Sequence, residues 1–170
     1  MNTFQMIEKE VVDNFLPEHE LRQVQSVFLT GTRLWSFNEQ GYKNGVPTER
    51  PQFVHSMWDP LLGVATPHGE LGTMFINKLN PRVLIRIKAN LQIKDSKICE
   101  DPLHVDFENI ESTTSIFYVN TCNGYTHFED GSRVNSIENR LVTFPTQTLH
   151  GGANCTDRDC RVVINFNYHK

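Results

Sequence analysis

Between residues 82 and 168, short runs of branched and aromatic residues alternate with clusters of Gly, Asn, Asp and Pro. Residues 82–93, 103–107, 113–120, 125–128, 132–135, 140–144, 148–150 and 161–168 each read as a strand, because such side chains fit a pleated, half-buried surface. Asn123-Gly124 and Asp130-Gly131 lie between these runs and predict tight hairpins, since both dipeptides tolerate the backbone of two-residue turns. Residues 151–159 predict a polar loop. About eight short strands separated by turn chemistry point to a sandwich or barrel.

The amino-terminal part has another period. Residues 8–15 read as a further strand. Leu21, Val24, Val27 and Phe28 recur at helical spacing and Pro17 suits a first helical turn, so residues 17–29 predict an amphipathic helix laid on one sheet. A second helix is expected over residues 70–79, ended by Asn80-Pro81. The remainder of 31–80 holds glycines and prolines and no clear period. A chain of 170 residues suits one domain, 1–170. Residues 82–168 would form its β core and residues 1–80 its support.

The candidate chemistry sits on the strands. In an extended segment His104 and Asp106 stand on one face, roughly 6.5 to 7 Å apart along the backbone, and both can reach one small ion. His150, just before Gly151-Gly152, can add a third ligand where backbone approaches closely. Two imidazoles and one carboxylate with the remaining positions open is the donor set of non-haem Fe(II) sites. Zinc or manganese can use similar ligands. Arg161 lies 11 residues past His150 (161 minus 150), near enough for a short hairpin to return it to the same pocket, and it shares a strand face with Val163 and Asn165. Taken singly, each residue has an ordinary reading: a surface pair for His104 and Asp106, a solvated charge beside Asp157 or Asp159 for Arg161, core packing for Tyr118. Their joint occurrence in order carries the argument.

The run His104-x-Asp106, Tyr118-x-Asn120, Gly124-x-Thr126-x-Phe128, Arg140-Leu141-Val142-x-Phe144, His150-Gly151 and Arg161-x-Val163 resembles the core of the 2-oxoglutarate and Fe(II) dependent dioxygenases. The likeness is to the prolyl 4-hydroxylase-like branch, including its small phage and bacterial members, and covers about half the chain. It implies a mainly β fold with supporting helices around a double-stranded β-helix (jelly-roll, cupin-like) core. It implies His104, Asp106 and His150 as iron ligands and Arg161 as partner of the distal carboxylate of 2-oxoglutarate, with Tyr118 assisting. Thr126 and Asn165 would line the pocket. Two positions depart from the pattern: Tyr125 stands where many members have an acid, and Asn90 stands in for a tyrosine on the strand before the His-x-Asp pair. Implied chemistry is oxidative decarboxylation of 2-oxoglutarate to succinate and CO2 with O2, with ascorbate as a possible accessory, coupled to hydroxylation of a C–H bond. A prolyl residue of a peptide or protein, a free amino acid or another small molecule would be the substrate. The rival is a cupin-like metal-binding module, or a Zn- or Mn-dependent hydrolase or isomerase, which has no need of a dicarboxylate anchor.

Charge narrows the partners. A net charge of −4 opposes broad attachment to nucleic acid. Alternation puts Arg86, Lys88 and Asn90 on one strand face, either solvated or leading toward an acidic substrate. Cys99, Cys122, Cys155 and Cys160 lack the close pairs of zinc sites; Cys155 and Cys160 flank the loop before Arg161 and could bridge it if oxidised. No leader-like or long apolar stretch stands out, so a cytoplasmic protein with free thiols and no membrane attachment is expected. His127 is expected not to ligate the metal. His19, His55, His68 and His169 lack a paired ligand, and Trp35 and Trp58 are expected in the core or at the pocket rim.

Overall fold

The computed structural model describes residues 8–30, 35–38, 42–43, 46–47, 51–60, 64–65 and 69–170. Along the chain run β1 (Glu10–Val12), α1 (Glu18–Phe28), β2 (Ser36–Asn38), β3 (Tyr42–Lys43), β4 (Val46–Pro47), β5 (Gln52–Asp59), β6 (Val64–Ala65), α2 (Gly69–Leu79) and β7 (Val83–Ile93). There follow β8 (Thr113–Tyr118), β9 (Tyr125–Phe128), β10 (Arg133–Asn135), β11 (Arg140–Pro145), β12 (His150–Ala153) and β13 (Cys160–His169). The major sheet has the order β1-β11-β8-β13-β7-β5-β2, with β6 on β5, and the minor sheet the order β10-β9-β12. β3 and β4 pair with each other. All pairings are antiparallel. The architecture is mainly β with supporting helices, a double-stranded β-helix.

Strand alternation decides what each face of the major sheet does. Ile87 and Ala89 of β7, Phe117 of β8 and Val162, Ile164, Phe166 and Tyr168 of β13 pack against Leu21, Val24 and Phe28 of α1 and Leu71 and Phe75 of α2. Burying each large apolar side chain contributes roughly 1.5–3 kcal/mol, so this stripe is what holds α1 in place. Glu18 and Glu20 in its first turn face the positive end of the helix dipole. On the opposite face Ile116, Tyr118, Val142 and Val163 meet Phe128, Val134 and Phe144, which joins the two sheets at one end.

Several sequence expectations change. The segment 103–107 is not a strand: it makes one isolated bridge, His104 to His150, because Pro102 offers no N–H and Asp106 is drawn away by side-chain bonds described below. The strand expected over 8–15 stops at Val12, since Asn139 fastens the following segment by Leu16 N–H to Oδ1 and Nδ2–H to Leu16 O, each 2.8 Å. Asn123-Gly124 closes no hairpin; it carries the chain from β8 in the major sheet to β9 in the minor one. Asp130-Gly131 does turn β9 into β10, with Gly131 at φ 78°. The strand expected at 148–150 lies at His150–Ala153, so the first third of the expected polar loop, residues 151–153, is sheet. β5 was hidden within 31–80, although His55 and Met57 alternate inward along it.

Candidate metal centre

His104 and His150 meet because their backbones pair. His104 N–H donates to His150 O at 2.9 Å and His150 N–H to His104 O at 3.0 Å, which sets the two rings 4.8 Å apart at 36°. Each ring is then turned by a second bond: Nδ1 contacts Pro102 O at 3.2 Å in His104 and Thr148 O at 2.9 Å in His150. A carbonyl only accepts, so Nδ1 carries the proton in both and Nε2 keeps its lone pair, the arrangement a metal needs. Phe144, 4.8 Å away and edge-on, backs the His150 ring.

Asp106 completes the set, and His104, Asp106 and His150 each offer a ligand atom within 4.8 Å of the others. Its side chain is 5% exposed. Oδ1 accepts from Arg86 Nη2 at 3.2 Å, and Oδ2 from Asn167 Nδ2 at 2.8 Å and Thr114 Oγ1 at 3.2 Å. Burial alone would raise its pKa, but His150, Arg86, the Asn167 amide and His104, the two imidazoles acting where acid protonates them, outweigh it and hold the carboxyl down to about 2. Asp106 is therefore an anion ready to ligate. Arg86 is itself held over the Phe107 ring at 4.6 Å.

A cavity of about 300 Å³ opens beside these ligands. Arg86, Lys88, Asn90 and Gln92 of β7 face it, with Arg161, Val163 and Asn165 of β13, so the expectation of a solvated Arg86-Lys88-Asn90 face is corrected: alternation turns these side chains inward. Arg161 is 3% exposed. Its Nε donates to Ser136 Oγ at 2.7 Å, Nη1 to Gln92 Oε1 at 3.3 Å and Nη2 to Thr126 Oγ1 at 3.1 Å. All three acceptors are neutral. Gly124 makes room for it, since a Cβ there would lie 2.7 Å from Arg161 Cδ. Gly151, next to His150, is needed likewise, because a Cβ would lie 2.7 Å from Asp101 O.

Tyr118 is wholly buried in the apolar plug and does not line the cavity. Its hydroxyl donates to Thr126 Oγ1 at 2.8 Å, and burial raises its pKa. Thr126 thus accepts from both Tyr118 and Arg161, so its own proton is directed elsewhere. Asn165 Oδ1 is buried on the cavity wall with no donor. Asn90, Thr126 and Asn165 all line the space. A buried guanidinium whose bonded partners among the described residues are neutral, with Asp101 reached only through Gln92, a hydroxyl in contact with it and an orphaned amide oxygen fit a polar, anionic guest beside a metal bound to the three ligands.

The remaining sequence candidates fall elsewhere. His127 contacts Asp101 O through Nε2 at 3.0 Å. His55 packs against Phe28; His68 lies outside the described residues. Trp35 packs against Phe28 with the rings tilted at 58°, whereas Trp58 is 37% exposed. No disulfide joins the cysteines, and Cys155 lies beside Cys122. Sequence reasoning missed Asn167 and Thr114 behind Asp106, and Ser136 and Gln92 behind Arg161. Two were within reach: Asn167 continues the parity of Arg161, Val163 and Asn165, and Gln92 that of Arg86, Lys88 and Asn90.

No protein-family model matches the sequence, and no curated protein matches it. Solved structures do. A prolyl hydroxylase from Trichoplax adhaerens, in complex with a hypoxia inducible factor oxygen degradation domain peptide fragment, is 14% identical with a TM-score of 0.69, covering 99% of this chain and 86% of that one. The viral collagen prolyl hydroxylase of Paramecium bursaria Chlorella virus-1, as a 2OG complex, is 12% identical with a TM-score of 0.55, covering 95% and 96%. HygX from Streptomyces hygroscopicus, with nickel, 2-oxoglutarate and hygromycin B bound, is 12% identical with a TM-score of 0.62, covering 98% and 84%. At these identities the likeness is one of fold, and the fold is that of the prolyl hydroxylases and their relatives.

Proposed function

We propose that this protein is an Fe(II)- and 2-oxoglutarate-dependent oxygenase of the prolyl 4-hydroxylase-like kind, which hydroxylates a C–H bond. The observation that carries this reading is Arg161, a buried guanidinium bonded among the described residues to neutral oxygens, on the same cavity as His104, Asp106 and His150. A guanidinium presents paired donors that match a carboxylate. A metal-dependent hydrolase or isomerase has no use for such a group.

When bound, iron with 2-oxoglutarate and O2 supplies the oxidising power for the C–H bond, and the diacid leaves as succinate and CO2. The chain's own residues bind, orient and shield. His104, Asp106 and His150 hold the ion from one side and leave the cavity side open. Arg161 grips the far carboxylate, Thr126 donates its hydroxyl proton to the same group, and Tyr118 supports it through Thr126. Asn90 and Asn165 address the cosubstrate from the wall, while Ile116 and Val163 keep water from the reacting centre. A prolyl residue in a peptide is the substrate we favour, as in the peptide complex of the Trichoplax neighbour; a free amino acid or other small molecule follows, as with the hygromycin B of HygX. Ascorbate would serve as reductant for iron oxidised without substrate. We read residues 1–170 as one catalytic unit, working in the cytoplasm, where free thiols persist.

Anaerobic addition of Fe(II) and 2-oxoglutarate should give the visible charge-transfer band of the chelate, and air should then yield succinate. Both should vanish in His104→Ala, and Arg161→Ala should need far more 2-oxoglutarate for the same band. Metal uptake with no response to 2-oxoglutarate would overturn the proposal.

A further inference from the structure

A second set of ligand atoms converges away from the cavity. Cys122 follows β8, Cys155 follows β12, and Asp157 comes two residues later; their sulfurs and a carboxylate oxygen lie within 4.8 Å of one another. Both thiols are buried and the carboxylate is exposed. None of the three lines the metal-centre cavity.

The two loops are fastened to each other by bonds that do not use the sulfurs. Thr156 N–H donates to Asn123 Oδ1 at 2.9 Å, Asn123 Nδ2 to Thr156 Oγ1 at 2.7 Å, and Asn123 N–H to Asp157 Oδ1 at 3.0 Å. Cys122 N–H donates to Ser136 O at 3.1 Å. The ligand atoms are thus gathered before any ion arrives, and Asp157 is held through one oxygen with the other available.

We propose that Cys122, Cys155 and Asp157 form a second metal site, for a thiophilic divalent ion of the zinc type, with a fourth position open to water. Two thiolates on a tetrahedral zinc stand about 3.8 Å apart, from a Zn–S length of roughly 2.3 Å, so closing the site from 4.8 Å or less takes a side-chain adjustment and no backbone change. Two S–H bonds break, two metal–sulfur bonds form and the protons go to solvent. Burial first, and then the neighbouring Cys122, push the Cys155 thiol up to about 12. Its present contact, Sγ to Arg158 O at 3.3 Å, is the bond it gives up. The ion would clamp the loops that enter β9 and leave β12, next to Gly124 where it backs Arg161.

The probe is Cd(II), added to the full-length, reduced, metal-free protein. One equivalent should produce an ultraviolet sulfur-to-cadmium charge-transfer band, with release of about two protons per ion at neutral pH. The band should persist in His104→Ala and in Cys160→Ser, which separates this site from the oxygenase centre, and vanish in Cys122→Ser and Cys155→Ser. Asp157→Asn, an exposed change that should leave the fold intact, should weaken binding by at least about tenfold. Absence of the band in wild type with all four thiols reduced overturns the proposal. So does a band that survives loss of either buried cysteine, or an affinity unchanged in Asp157→Asn.

Discussion

The space between the two sheets is dry at one end and wet at the other, and the same strands build both ends. Ile116, Tyr118, Phe128, Val134, Val142, Phe144 and Val163 close the dry end. Arg86, Lys88, Asn90, Gln92, Arg161 and Asn165 line the wet end. Ile116 and Val163 belong to both. The dry end relies on packing, with the Tyr118 hydroxyl beside Thr126 Oγ1 and Val134 O as its polar contact, and sets distances between the sheets. Polar groups at the wet end, including a guanidinium bonded among the described residues to neutral oxygens and a buried amide oxygen without a donor, make no such contribution. The three candidate ligands stand between the two ends, with His150 2% exposed against Phe144. Stability and binding should therefore be separable by mutation.

The largest effect should come from the boundary itself. His150→Ala should cost well over roughly 100-fold in metal affinity, since even partners behind a ligand cost 10–100-fold; isothermal titration with Fe(II) or a stand-in ion under anaerobic conditions measures it. Phe144→Ala tests the dry end. Loss of a buried aromatic should cost about 3–5 kcal/mol in urea unfolding, with metal affinity per folded molecule changed far less. If affinity falls as steeply as stability, the division of labour drawn above is wrong.

Asn167→Ala probes the wet side of the same boundary. Removing its 2.8 Å bond to Asp106 Oδ2 should lower metal affinity by about 10- to 100-fold, with a well-folded protein by circular dichroism. Acid titration of the metal-free protein sharpens the point. A carboxyl held down to about 2 from 3.8 stabilises the fold fully above its unfolded value and gives that up as the pH falls through about 2, a contribution of order 2 kcal/mol. Asp106→Asn should lack this segment of the pH dependence. The smallest effect should be at the surface, where Asp13→Ala breaks the Arg140 pair at 2.6 and 2.9 Å and should cost at most about 1 kcal/mol.

Periodicity made the major sheet legible wherever a strand had one apolar face. β13 could be read residue by residue, because Val162, Ile164 and Phe166 alternate with Arg161, Val163 and Asn165. The gathering of His104, Asp106, His150 and Arg161 was also legible, through order along the chain. The reason given for the His104–Asp106 convergence was wrong, however: a single bridge and three donors to Asp106 bring them together, with no strand between. Such contacts come from residues 8 to 61 positions away, which strand periodicity does not reveal. Asn123-Gly124 misled for a similar reason. Its glycine answers to the bulk of Arg161, a neighbour in space, and not to a turn.

The reciprocal bond between His104 and His150 also sets an order of events for exchange of the ion. His150 is woven into β12, which is paired with β9 over four residues, whereas the segment carrying His104 meets β12 through two isolated bridges, Glu100 with Ala153 and His104 with His150, and through Asp101 N–H to Gly152 O at 2.7 Å. The segment carrying His104 has no strand of its own, so it should open before β12 does, and amide exchange at His104 should then keep pace with release of the ion.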